Sequence, residues 1–217
     1  MAMNDASVFF SRAPRSTRGA VLRVLQAGTN RAHAALIART LNAVADAIPH
    51  ISARAAEDAA GESSSYDVLL SILEQPEVLA ALRRENPLAP ALVRGLRGRE
   101  EILRAEGGTV GAREAAGLMG MTRQSVDNRR RANRLIGLSL GRRGYAYPVW
   151  QFAEGGTVGG LEAVLDVLRG FSPWMQAQFM LTGDARLGGQ TPLAALRSEQ
   201  VESVLRAAAG FGEHGAA

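Results

Sequence analysis

Apolar residues recur at helical spacing along most of the 217-residue chain. Between Thr17 and Ile48 they are Val21, Leu25, Leu36, Ile37, Leu41, Val44 and Ile48; Gly28-Thr29-Asn30 splits this run into two helices, and Pro49 ends the second. Tyr66, Leu69, Leu70 and Leu73 then share a face, Pro76 opens a helix carrying Val78, Leu79 and Leu82, and Leu88, Leu92 and Leu96 follow at i, i+4 and i+8 before Gly107-Gly108 breaks the chain. Residues 1–17 and the small, polar stretch 53–65 lack this order, so an arm and a linker are expected there. After Gly155-Gly156 the helical period returns with Leu161, Val164, Leu165 and Leu168. Ser172-Pro173 and Thr191-Pro192 each pair a capping hydroxyl with proline at the first helical position, and Val201, Val204, Leu205 and Ala208 mark a last helix.

A period of two residues shows only at Ile136, Leu138 and Leu140, followed by a turn, Gly141-Arg142-Arg143-Gly144. Tyr145 to Val149 would return as a second strand closed by Trp150 and Phe152, with Pro148 confining it to a sheet edge. The expected fold is mainly α. Its parts are an N-terminal arm and helices (1–60), a helical packing and dimerisation region (61–106), a helix-turn-helix with a short β-wing (107–153) and a C-terminal helical module (154–217).

The helix-turn-helix expectation rests on Thr109 to Arg131. Ala115 and Ala116 are small enough for close helix approach, Leu118 and Met121 supply core, and Gly120 suits a turn with positive φ. Thr122 is a natural N-cap for the next helix, on which Val126 faces inward. That register turns Arg123, Gln124 and Asn128 outward near the helix start, where such a helix reads bases. Gln and Asn match adenine and Arg matches guanine. Arg129, Arg130, Arg131 and Arg134 fall at or beyond the helix end, suited to phosphate, and Arg142 and Arg143 sit at the wing tip. The plain alternative is a helical hairpin used only for packing, its arginines solvated.

Charge sharpens this reading. Residues 121–149 hold seven arginines against a single acid, Asp127, a net +6 in a chain whose total is +4. Local concentration of this kind points to a polyanion. All 25 basic residues are arginine and there is no cysteine, which excludes disulfides, thiolate metal sites and a cysteine nucleophile. The hydrophobic fraction is 47% and mean hydropathy −0.03, as in soluble globular proteins. No apolar run is long enough to span a bilayer and no signal-type apolar core opens the chain, so a cytoplasmic protein without membrane contact is expected. His33, His50 and His214 are far apart in sequence, no glycine-rich stretch has a phosphate-loop pattern, and no acid pair stands out. A non-enzyme without cofactor or metal is expected.

Two resemblances add to this. The wing, with Tyr147-Pro148-Val149-Trp150, is similar to those of winged helix-turn-helix proteins of the MerR and excisionase sort. Leu187-Gly188-Gly189-Gln190-Thr191-Pro192-Leu193-Ala194-Ala195-Leu196, followed by Val201 to Leu205, resembles the toxin-binding domain of the Xre/MbcA/ParS antitoxin family over roughly the last 50 to 60 residues. The chain departs from that pattern at Ser198-Glu199-Gln200, where many members carry a glycine. The resemblance implies an antitoxin of a type II toxin–antitoxin system. Its partners would be a cognate RES-domain toxin acting on NAD as a glycohydrolase or ADP-ribosyltransferase, and its own operator DNA, which it would bind as a homodimer to repress the operon. It also implies toxin contacts from Leu187, Gly188, Gly189, Pro192, Leu193, Arg197 and Arg206, with the tail residues Phe211, Glu213 and His214 entering the toxin's cleft. The alternatives are a stand-alone winged helix-turn-helix transcription regulator and a scaffold with no DNA role.

Overall fold

The structure is a computed structural model that describes residues 10–28 and 31–212, without the side chains of Arg31 and Glu85. Glu213 and His214 lie outside the described residues. Those described are mainly helical, and among them no helix is long and apolar enough to cross a membrane. The chain divides into two compact units, one ending at Arg94 and one starting at Gly95.

The first unit holds α1 (Arg15–Ala27), α2 (Arg31–Ala47), α3 (Ala53–Ala60), α4 (Ser65–Leu73), α5 (Pro76–Glu85) and the start of α6 (Ala89–Arg104). The break at Gly28 and the end of α2 before Pro49 follow the sequence pattern. The expected linker is instead helical over Ala53–Ala60. Ser52 caps it, its hydroxyl accepting the Ala55 N–H at 3.2 Å, and five alanines in eight residues lose almost no side-chain entropy. Helix α3 packs on α4 around Ala59 and Leu70. Many expected core positions are uncovered: Leu25, Leu36 and Ile48 are exposed, Tyr66 and Leu69 turn outward from α4, and Leu88 and Leu92 stand open at the start of α6.

In the second unit, β1 (Thr109–Val110) leads into α7 (Ala112–Leu118) and α8 (Arg123–Arg131). Then come β2 (Leu138–Ser139) and β3 (Tyr145–Pro148), the hairpin β4 (Phe152–Ala153) and β5 (Gly156–Thr157), α9 (Leu161–Val167), α10 (Pro173–Leu181), α11 (Pro192–Arg197) and α12 (Val201–Ala209). The caps read from sequence form: Ser172 accepts from Met175 N–H at 3.3 Å and Thr191 from Ala194 N–H at 3.1 Å. The expected division at residue 153 is crossed by one core, in which Ile136, Leu138 and Trp150 pack with Leu161, Leu165, Met180 and Val204.

The small sheet has the order β1-β3-β2, both pairings antiparallel. Strand β3 is therefore central, where proline is rare. Continuing the register Leu138↔Ala146 by two residues sets Pro148 opposite Ile136, just past the end of β2. A residue other than proline there would donate to Ile136. The side chain of Gln151, fully buried, takes that place. Its Oε1 accepts the Ile136 N–H at 2.8 Å, and its Nε2 donates to the Ile136 carbonyl at 3.0 Å and the Pro148 carbonyl at 3.1 Å. The proline is tolerated because a side-chain amide completes the ladder.

Removing that amide strands buried backbone groups, at about 1–3 kcal/mol each. Gln151→Leu should therefore lower the stability of the second unit by about 3 kcal/mol. The chain's two tryptophans, Trp150 and Trp174, both lie in this unit, so urea unfolding followed by tryptophan fluorescence reads the loss directly.

Candidate nucleic-acid interface

Helix α7 ends in a tight turn: the Gly120 N–H bonds to the Gly117 carbonyl at 3.2 Å and the Met121 N–H to the Ala116 carbonyl at 3.0 Å. Gly120 takes φ 59°, the left-handed conformation expected of it. Thr122 then caps α8, accepting the Ser125 N–H at 3.1 Å. Ala115, Ala116 and Val126 are buried between the helices. Leu118, expected in that core, is 47% exposed. Helical geometry explains the exchange: Met119 lies one turn below Ala115 and fills the site, while Leu118 is rotated off the buried face.

On α8, Arg123, Gln124, Asn128 and Arg131 are exposed, and Gln124, Asn128 and Arg131 fall at i, i+4 and i+7 on one face. Arg142 and Arg143 stand exposed at the tip between β2 and β3, where Leu140 N–H closes the turn onto the Gly144 carbonyl at 2.8 Å. Between helix and hairpin lies an open groove of about 530 Å³, lined by Arg123, Gln124, Asp127, Arg143, Tyr145 and Tyr147.

Arg129 and Arg130, both expected to meet DNA, are half-buried and engaged within the chain. Arg129 pairs with Glu162 at the start of α9, at 2.6 Å. Arg130 donates to Asp127 Oδ1 from Nε at 3.1 Å and from Nη2 at 2.7 Å, and its guanidinium lies 3.8 Å from the Tyr145 ring centroid. Its stem runs against Gly137, where a Cβ would meet Arg130 Cδ at 2.5 Å and Cγ at 2.9 Å. Glycine at 137 thus lets Arg130 reach from helix to hairpin and clamp the two together. The hydrogen bond from Arg130 holds the Asp127 carboxyl below the ordinary carboxylate range, against the opposing effect of burial. Burial pushes the Tyr147 phenol above its ordinary value, with the nearby Arg130 charge opposing it.

The far end of α8 is fixed by residues the sequence pattern did not single out. Asn133 adopts φ 57°, and the Arg134 N–H reaches back to the Arg129 carbonyl at 2.8 Å, so the helix closes in a left-handed cap. The Asn133 amide donates to the Leu165 carbonyl of α9 and accepts from Gln176 Nε2 at 3.0 Å. Gln176 also donates to the Leu168 carbonyl at 3.0 Å. Left-handed asparagine after a helix is legible locally; its partners 32 and 43 residues away are not.

No protein-family profile matches the chain, and neither does any curated protein. Among solved structures, the NMR structure of Rv2175c matches with 23% sequence identity and a TM-score of 0.43, over 50% of this chain and 84% of that one.

The second set of expected contacts, near the C-terminus, is placed differently from the expectation. Leu187, Pro192 and Leu193 are buried in the chain's own core and present no apolar surface outward. Their spacing matches one buried face of a short helix and the turn before it, so packing accounts for it. Gly188 and Gly189, with φ 64° and 85°, form the expected bend and are exposed. Arg206 is exposed, and Arg197 is exposed while paired with Glu106 at 2.9 Å. Phe211 belongs to no free tail: its ring meets Phe171 and Phe179 edge-on, each at 5.0 Å. Arg186 secures this end by donating to the Ala207 carbonyl at 3.2 Å and the Gly210 carbonyl at 3.3 Å. Among the described residues, no group of three His, Cys, Asp or Glu side chains could hold a metal ion.

If Arg130 is the clamp, Arg130→Ala should cost the second unit about 2 kcal/mol as packing, ring stacking and pairing are removed together. Arg142→Ala, at the exposed tip, should stay within about 0.5 kcal/mol. Urea unfolding of both variants measures the difference.

Proposed function

We propose that the chain binds duplex DNA through α8 and the β2–β3 hairpin, and that it serves as the antitoxin of a RES-domain toxin whose operon it represses. The DNA reading is carried by one observation: the exposed row Gln124, Asn128 and Arg131, flanked by Arg123 and, across the groove, by Arg143. Amides and a guanidinium on one helix face supply the donor and acceptor sets that base edges require, and hairpin arginines suit the adjoining phosphates. An α-helix with its side chains is about 10–12 Å across, which suits a major groove about 12 Å wide.

The antitoxin reading rests on the resemblance carried by Leu187 to Leu196 and Val201 to Leu205. With the leucines of that segment internal, toxin contact falls to its outer side, with Gly188, Gly189, Arg197 and Arg206. The second reading is a stand-alone regulator. It is favoured by the same burial, which gives the leucine pattern a purely structural role. In both readings the chain works as a dimer, and the open leucines of the first unit, Leu25, Leu36, Leu88 and Leu92 among them, support self-association.

Fluorescence anisotropy with a random-sequence 24-base-pair duplex tests the DNA reading. Binding should weaken steeply with salt, and replacing both Arg142 and Arg143 by Ala should lower the log–log salt slope by roughly 2, about one unit for each phosphate no longer neutralised. Absence of binding at low salt would remove the reading. For the antitoxin, co-expression with the product of an adjacent RES-type gene should restore growth and yield a complex on pull-down. Truncation after Gly212 is the cleaner test of the tail, since it leaves Phe211 in place between its two aromatic neighbours.

A further inference from the structure

Asp127 is the lone acid among residues 121–149, and it lies on the side of α8 that faces the groove. A carboxylate there repels a polyanion, so it weakens binding to every duplex alike. Its two oxygens are divided between two arginines. Oδ1 takes Arg130, which the hairpin holds inward over Tyr145. Oδ2 takes Nη2 of Arg131 at 2.8 Å, while the Arg131 side chain remains 70% exposed. Arg131 is thereby tethered at one nitrogen and open at the rest, on the same face as Gln124 and Asn128.

A guanidinium is a planar fork of five N–H donors. Ion-paired through Nη2, it keeps its remaining N–H edge open to solvent, and a pair of such donors is what the O6 and N7 acceptors of guanine require. A freely rotating arginine at a helix end would sooner settle on a phosphate. We propose that Arg131 reads a guanine in the major groove and that Asp127 is its positioning residue, giving up general DNA affinity for discrimination at that one base pair. The inference rests on the DNA-binding reading above and assigns to Arg131 a base rather than a phosphate.

The test is selection from a randomised 20-base-pair duplex library by the full chain, followed by sequencing. Affinity for unselected library is measured alongside by anisotropy. Wild type should enrich a motif containing one position with a roughly ten- to hundredfold preference for guanine. Arg131→Lys keeps the charge but loses the fork; its preference at that position should fall to about twofold or less, with affinity for unselected library falling far less than affinity for the selected motif. Asp127→Asn should lose the same preference and bind unselected library several-fold more tightly, the opposite direction from a variant that merely unfolds. Arg130 tethering is also disturbed in Asp127→Asn, so Arg131→Lys, which leaves that clamp untouched, keeps the outcome readable. A motif unchanged in Arg131→Lys would overturn the proposal and return Arg131 to the backbone. A wild-type protein that binds no duplex at all would instead sink the DNA reading itself.

Discussion

The face offered by α8 depends on how the ends of that helix are tied down. A helix of nine residues with five charged side chains has almost no apolar surface of its own; Val126 is its one buried residue. Isolated in water it would not persist. It is held instead at three points: the Thr122 cap at its start, the Arg130–Asp127–Tyr145 stack in its middle and the Asn133 amide at its end, joined to Leu165 and Gln176. The Arg129–Glu162 pair adds to the last of these. Surface ion pairs alone contribute little. The bonds of Asn133 and Gln176 matter more, because they satisfy buried polar groups that would otherwise be stranded.

The same arrangement divides the arginines. Seven in 29 residues look alike in sequence, and density alone suggests that all meet a polyanion. Folding separates them: Arg129 and Arg130 are half-buried against the Glu162 and Asp127 carboxylates, Arg131 and Arg134 reach the same two carboxylates but stay largely exposed, and Arg123, Arg142 and Arg143 are open to solvent. The carboxylates that do the sorting are ordinary residues by sequence, Asp127 within the helix and Glu162 some thirty positions on.

Features that depend on neighbouring residues were legible in the sequence. The Gly120 turn, the caps at Thr122, Ser172 and Thr191, and the paired strands around Gly141–Gly144 are of this kind, and each is present. What failed needed information from elsewhere in the chain. Pro148 pointed to an edge strand because nothing nearby announces that Gln151 would substitute for the missing donor. Leu187, Pro192 and Leu193 carry the same spacing whether they face a partner or the chain's own interior, and only the packing of α9 to α12 decides for the interior. In the first unit the apolar periodicity located the helices other than α3, whose alanine-rich stretch carries no apolar stripe. It could not say whether their leucines would be covered, and many are not.

The sheet has a bearing on solubility. Its outer strands, β1 and β2, are only two residues long. An intruding strand from a neighbouring molecule would find too few free amides and carbonyls to build a ladder. Edge-to-edge pairing, the usual hazard of an exposed β-hairpin, is thus disfavoured at this sheet.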